Sequence, residues 1–405
     1  MRVVRNLESL EKLLRRKRVR KNKVYEKVSK IIKDVCENGD NALVKYTNKF
    51  DKVKVSVQEL RISESEISAA FNELDSSLIS AFKLAMDNVT KFYKGQVPKT
   101  VRVKEANGKT LISRYLPLER VGVYVPAGTA PLVSSVYMAV IPALVAGVRE
   151  IVLVSPPGKD KNINPFILAL GSLLKINEIY RIGGAQAIAA LACGTKTIRK
   201  VDKVVGPGNE FVTEAKRQLF GEVDIDMLAG PSEVVILASK DANIEHIIWD
   251  LEAQTEHYNG LGILITNSRK IIREARNKKI PGLALRVRNL EEGCRVVNCI
   301  APEHLEILTK KPSSLIKKIR NAGAIFLGDY TPVALGDYTA GPSHILPTAG
   351  TSRFFSCLSV RSFLKESHII NYTKKALQEE EQVLEKIATL EGMVKHIESV
   401  KKRLI

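Results

Sequence analysis

Four of the six histidines stand beside side chains that metal or proton chemistry would use. In Ala253-Gln254-Thr255-Glu256-His257, Gln254 and His257 are spaced i, i+3 and share one face if the segment is helical. A carboxamide oxygen and an imidazole nitrogen could then hold one cation, although Q-x-x-H also occurs in many helices with no such role. In Ile300-Ala301-Pro302-Glu303-His304-Leu305 a carboxylate and an imidazole are adjacent after a proline, which suits an acid–base pair. On a loop both can aim at one substrate, whereas on a strand they would point apart. Gly336-Asp337-Tyr338-Thr339-Ala340-Gly341-Pro342-Ser343-His344 reads as a loop with glycines bracketing Asp337 and leading to His344. Glu391-Gly392-x-x-x-His396 lies near the C-terminus, while His246 and His368 read as ordinary core or surface residues.

These residues need a frame. The first hundred residues read as helical: Val24, Tyr25, Val28, Ile31, Ile32 and Val35 follow one helix face, and Asn38-Gly39-Asp40 marks a stop and a fresh start. From about residue 120, short β-branched runs ending in Gly or Pro alternate with helix-length segments. The runs are Val121–Pro126, Glu150–Pro156, Glu178–Gly184, Lys203–Gly208 and Val223–Gly230, with helices expected over Ser134–Gly147 and Ala185–Ala192. This predicts a parallel sheet with crossover helices. Glu233–Ser239, Gly262–Thr266 and Ala322–Gly328 predict a second α/β unit. The tail after about residue 359 reads as charged helix, with Val383, Leu384, Ile387 and Leu390 on one stripe. No G-x-G-x-x-G follows any predicted strand, so the usual dinucleotide fingerprint is absent. Gly183-Gly184, Gly206-Pro207-Gly208-Asn209 and Gly230-Pro231-Ser232 read as strand ends, either plain tight turns or places where backbone amides meet a ligand.

With 405 residues, 45% hydrophobic and 26% charged, the chain has room for two cores and the balance of a globular protein. No apolar run is long enough for a membrane span and the start lacks a secretory signal, so a cytoplasmic protein is expected. Five cysteines without a C-x-x-C pair suit free thiols. The net charge of +19 includes seven basic residues between Arg15 and Lys23. No nucleic-acid motif accompanies them, which favours a solvated basic surface over an RNA-binding one.

Taken together and in order, the residues resemble the histidinol dehydrogenase family. The matching strings are Glu119-Arg-Val-Gly-Val-Tyr-Val-Pro, Gly183-Gly-Ala-Gln-Ala-Ile-Ala-Ala-Leu-Ala, Gly206-Pro-Gly-Asn, Ala229-Gly-Pro-Ser-Glu, Gln254-x-x-His257, Ala301-Pro-Glu-His-Leu, Gly336-Asp-Tyr, His344-x-Leu-Pro-Thr and Glu391-Gly-x-x-x-His396. Asn38-Gly-Asp and Tyr46-Thr-x-x-Phe-Asp extend the likeness towards the N-terminus. The resemblance implies a zinc- and NAD-dependent oxidation of L-histidinol through the aldehyde to L-histidine, the last step of histidine biosynthesis. It implies one zinc per subunit on Gln254, His257, Asp337 and His396, with Glu303 and His304 as the catalytic pair. Ser232, Gln254, His257, His304, Asp337, His344, Glu391 and His396 would meet substrate, and Tyr124, Gln186 and Asn209 would meet NAD.

The same resemblance implies an α/β fold of two incomplete Rossmann-like domains, similar to aldehyde dehydrogenases, with small N- and C-terminal helical extensions. Residues 1–23 would form a basic extension, 24–120 with 234–358 the metal-bearing domain, 121–233 the NAD domain, and 359–405 a tail crossing to the partner of a homodimer. Three positions depart from the family pattern: Ala127 for a glycine, Tyr258-Asn259 for Asp-Pro, and Pro342-Ser343 beside the substrate pocket. A paralogue acting on another small polyol, such as a sulfonated propanediol, is the nearest rival; a nucleic-acid-binding protein on an inactive enzyme body is a more distant one. No cysteine sits in a nucleophile motif, so the path is expected through a hydrated aldehyde and not a thiohemiacetal.

Overall fold

The computed structural model describes residues 1–17, 22–127, 131–257 and 259–405. The expectations for Arg18–Lys21 of the basic run and for Tyr258 fall outside them, as do those for the side chains of residues 15–17 and 22. The chain forms two compact units, Met1–Gln96 with Leu118–Phe363, and Val97–Pro117 with Leu364–Ile405.

The larger unit opens with β1 (Arg2–Val4), α1 (Leu7–Lys17), α2 (Asn22–Phe50), α3 (Glu64–Asn72) and α4 (Ser76–Lys94). The smaller unit then takes β2 (Val101–Lys104) and β3 (Thr110–Pro117). The chain returns through β4 (Arg120–Tyr124), α5 (Ser134–Ala146), β5 (Glu150–Ser155), α6 (Pro165–Leu173), β6 (Ile179–Arg181), α7 (Gly184–Cys193), β7 (Lys203–Val205), α8 (Glu210–Leu219) and β8 (Asp224–Ile225). A second run follows: β9 (Glu233–Ala238), α9 (Ile244–Ala253), β10 (Leu261–Thr266), α10 (Arg269–Asn277), β11 (Leu283–Arg286), α11 (Leu290–Ile300), β12 (His304–Leu308), β13 (Ala324–Leu327) and α12 (Val333–Tyr338). The chain ends in the smaller unit with β14 (Leu364–Asn371), α13 (Lys374–Leu390) and α14 (Val394–Leu404).

The expected α/β class holds. Strands β6-β5-β4-β7-β8 form an all-parallel sheet, and β1-β11-β10-β9-β12-β13 a second one. Numbered within each run, both sheets have the order 3-2-1-4-5 of a doubly wound fold lacking its last strand, with β1 added at one edge of the second. Every residue of β4, β9, β10 and β12 is buried, as strands covered on both faces require.

Four expectations need correction. First, α2 does not join the metal-bearing sheet. Its Val28, Ile31, Val35 and Leu43 pack into the core around β4–β7, against the alanine-rich α7. Small side chains on α7 let the two helices approach, a pairing that sequence distance conceals. The expected stop at Gly39 is a kink within α2, at φ 53° and ψ −130°. Residues 97–117 belong to the smaller unit. Second, the cysteines are not all free: that same packing joins Cys36 to Cys193 in a disulfide, leaving Cys294, Cys299 and Cys357 as thiols. Third, the tail is not purely helical, since β14 pairs antiparallel with β3, more than 240 residues earlier in the chain. Fourth, the N-terminus starts with an edge strand, β1, paired with β11. Among the described residues no helix is long and apolar enough to cross a membrane.

Candidate active site

Helix α11 ends at Ala301, whose left-handed backbone (φ 54°, ψ 64°) turns the chain through Pro302 into β12. Glu303 is therefore the last residue before the strand and His304 its first. At this junction the alternation of a strand is not yet established, and Glu303 Oε2 lies 3.6 Å from His304 Nδ1. The neighbouring strand β9 begins at Glu233, whose backbone N–H donates to Glu303 Oε2 at 3.0 Å. Ser232, just before it, accepts a hydrogen bond of 3.0 Å from Gln254 Nε2. Gln254 closes α9 and opens a single 3-10 turn to Glu256, after which His257 is extended. The expected shared helix face is thus replaced by a tight turn. Asp337 lies in the last turn of the short helix α12 and not on a loop. Its two carboxylate oxygens face two imidazoles, Oδ2 at 4.0 Å from His257 Nε2 and Oδ1 at 3.9 Å from His304 Nε2. None of these carboxylate–imidazole separations is a hydrogen bond.

Burial sets the charges. Glu303 and His304 are 7% and 3% exposed. Desolvation raises the Glu303 carboxyl to about 7, against hydrogen bonds from Ser232 and the Glu233 backbone that favour the anion. The same burial lowers His304 to about 4, so its imidazole is neutral at pH 7 and can accept a proton. Burial also raises Asp337, opposed by the charges of His304 and His257. His344 is fixed between the Asp337 carbonyl (Nδ1, 3.0 Å) and the Ser135 hydroxyl (Nε2, 3.2 Å).

Several residues that position the site escape the sequence reading. Tyr93 of α4 is fully buried; its hydroxyl donates to the Leu358 carbonyl and accepts from the Ser343 N–H, both at 2.9 Å. Asn88 of α4 donates to the Thr339 carbonyl, and Tyr137 of α5 to the Tyr338 carbonyl. The segment from Asp337 to His344 is held from both sides by these groups, and Ser135 extends the hold to His344. For Ser135 and Tyr137 the available signal was a hydroxyl on the otherwise apolar α5. Gly323 is another: its N–H donates to the Pro302 carbonyl, and a Cβ there would sit 2.6 Å from the Glu303 carbonyl oxygen. Gly323→Ala should push the Glu303–His304 junction aside and cut kcat by about 10²-fold, because small misplacements of catalytic groups cost that much. Steady-state kinetics on a variant with intact circular dichroism checks this; wild-type kcat would show that the junction tolerates the shift.

At the first sheet the glycine turns lie at strand carboxyl ends, beside the switch point between β4 and β7. Tyr124 ends β4, and its buried hydroxyl accepts from the Gly184 N–H at 3.2 Å. Gln186, in the first turn of α7, is 1% exposed and its Oε1 has no hydrogen-bond partner among the described residues. Asn209 caps α8, accepting from the N–H groups of Phe211 and Val212. The second sheet reverses the rule: Ser232, Glu233 and His304 stand at strand amino ends.

A family model described as histidinol dehydrogenase matches residues 14–404. The chain is 44% identical over 399 residues to histidinol dehydrogenase of Clostridium acetobutylicum, covering 94% of this chain and 92% of that one. It is 42% identical over 424 residues to that of Carboxydothermus hydrogenoformans, covering 100% and 99%. This protein belongs to the histidinol dehydrogenase family. The crystal structure of histidinol dehydrogenase from Elizabethkingia anophelis superposes with a TM-score of 0.93 at 35% identity, covering 100% of this chain and 98% of that one.

Of the site residues the family resemblance implies, the structure gathers Ser232, Gln254, His257, Glu303, His304, Asp337 and His344 within the larger unit. Glu391 and His396 belong to the smaller one, exposed at the end of α13 and on α14. Among the described residues no three His, Cys, Asp or Glu side chains gather as a metal cage. The donor chemistry nevertheless fits a first-row metal: an imidazole and a carboxylate face each other without a hydrogen bond, and the third donor, Gln254, is an amide beside them. For NAD, the Gln186 Oε1, without a partner among the described residues, is a group that fits a ligand's donor.

Proposed function

We propose that this protein oxidises L-histidinol to L-histidine in two steps with two NAD, using one zinc per subunit. The buried Glu303–His304 pair beside Asp337 and His257 carries this reading. Gln254, His257 and Asp337, with a His396, would hold the zinc; when bound it would anchor the substrate's amine and imidazole and withdraw charge from its oxygen. His304, neutral because it is buried, would accept the proton of the hydroxyl oxygen as a hydride leaves the carbon that bears it for NAD, giving the aldehyde. Glu303, as the carboxylate, takes a proton from the water that adds to the aldehyde. With its first proton passed on to solvent, His304 would take a hydroxyl proton from the hydrate as the hydride on that carbon goes to a second NAD, which leaves the acid. Substrate would also meet Ser232, His344 and Glu391, and NAD would meet Tyr124, Gln186 and Asn209. A cytoplasmic location accords with a biosynthetic role. The test is NADH formation with L-histidinol against a sulfonated propanediol, with and without chelator. Turnover of the propanediol alone, or turnover of L-histidinol that no chelator touches, would refute the proposal.

The family likeness supports a homodimer whose tail, carrying Glu391 and His396, completes the partner's site. Val383, Ile387 and Leu390 support this, as they stand exposed on α13 and would be covered by a second copy. His304→Asn and His396→Asn homodimers should each be nearly inactive. Random reassembly makes half the dimers mixed, each with one intact site of two, so about a quarter of wild-type activity should return. Proven subunit exchange without recovered activity would exclude the crossed tail.

A further inference from the structure

The turn Gly206–Asn209 is held by a buried charge pair that the reaction itself does not use. Lys216, in the third turn of α8, and Asp226, just after β8, have side chains 3% and 1% exposed and meet at 2.7 Å. Both also grip one residue, through the peptide groups on either side of it. Asp226 Oδ2 accepts from the Gly206 N–H at 2.7 Å, and Lys216 Nζ donates to the Gly206 carbonyl at 2.5 Å. Only glycine fits at 206, since its φ is +116° and a Cβ would lie 2.1 Å from the Tyr124 carbonyl oxygen; a glycine left to itself is the freest point of the turn. A buried ion pair costs desolvation and often adds little to net stability, so its use here is better sought in the conformation it imposes.

We propose that Lys216 and Asp226 are positioning residues for NAD binding, clamping both polar groups of Gly206 so that the Gly206–Asn209 turn is preformed beside Tyr124. The inference rests on the reading that NAD occupies the carboxyl end of the first sheet. The pair links the end of β7, the body of α8 and the segment after β8, and so spans the mouth where Tyr124, Gln186 and Asn209 converge. Preformation spares the cofactor the cost of ordering the turn on binding.

The experiment is direct NAD binding to the metal-loaded protein by titration calorimetry, alongside separate KM and kcat values. Lys216→Met, combined with Asp226→Asn so that no lone charge stays buried, should raise the Kd and KM for NAD about ten-fold or more. The KM for L-histidinol, kcat at saturating NAD and zinc content should stay within about two-fold, a split that general loosening of the fold would not give. Lys216→Arg, which keeps a cation able to reach both partners, should recover part of the loss; it also serves as the test variant, with an expected rise of about three-fold in Kd, if the double variant does not fold. Gln186→Ala separates the two layers of the argument. If it weakens NAD binding while folded Lys216 variants bind normally, the positioning role is overturned and the location of NAD stands. If neither substitution weakens binding, the location is wrong and the positioning role falls with it. Weakening by the Lys216 variants alone supports the positioning role and removes only Gln186 from the contact set.

Discussion

Replacing His304 by Asn is expected to lower kcat for L-histidinol oxidation by about 10²- to 10⁴-fold, the usual worth of a positioned proton acceptor. The fold should survive, because His304 sits at the mouth of β12 and the apolar residues Leu305 and Ile307 anchor that strand. Glu303→Gln should behave differently. It leaves His304 to accept the alcohol proton and removes the base for hydration, so oxidation of the aldehyde should suffer far more than its reduction by NADH. The pH profile supplies a second readout. Glu303 is raised to about 7 by burial and acts only as the carboxylate, so aldehyde oxidation should increase as pH rises through about 7. That limb should vanish in Glu303→Gln. Equal losses in both directions, with the limb retained, would assign Glu303 a structural part.

His257→Asn or Asp337→Asn should abolish stoichiometric zinc and reduce activity by about 10³-fold or more, since the metal organises substrate and charge together. Asp337 matters twice over, because its carboxylate faces both His257 and His304. Its loss should therefore also disturb the acid–base pair, and adding excess zinc should rescue His257→Asn better than Asp337→Asn. One zinc per subunit in both purified variants, by elemental analysis, would remove these residues from the ligand set.

What the sequence showed and what it hid have a common cause. The strands of both parallel sheets are legible because burial on both faces demands β-branched runs, and Glu303-His304 is legible because two reactive side chains are adjacent in the chain. Tyr93, Asn88 and Tyr137 were not, since each acts through a backbone carbonyl or N–H more than 200 residues away, and neither was Ser135, whose hydroxyl meets the His344 imidazole 209 positions on. The Cys36–Cys193 bond is hidden likewise, across 157 positions. The strand β14 was lost within a charged tail because its partner β3 lies in a distant part of the chain. Gly323 shows only once the Glu303 carbonyl is placed beside it. The first sheet has its glycine turns at strand carboxyl ends, while the second puts its reactive pair at the amino ends. Only the coordinates distinguish the two.

The most direct test of the account is the stoichiometry of complete conversion. Metal-loaded enzyme given limiting L-histidinol and excess NAD should form two NADH per substrate, with L-histidine as the product and no free aldehyde building up, because both oxidations would run in the one site that holds Glu303 and His304. One NADH per substrate with aldehyde released to solution, or no NADH at all, would contradict it.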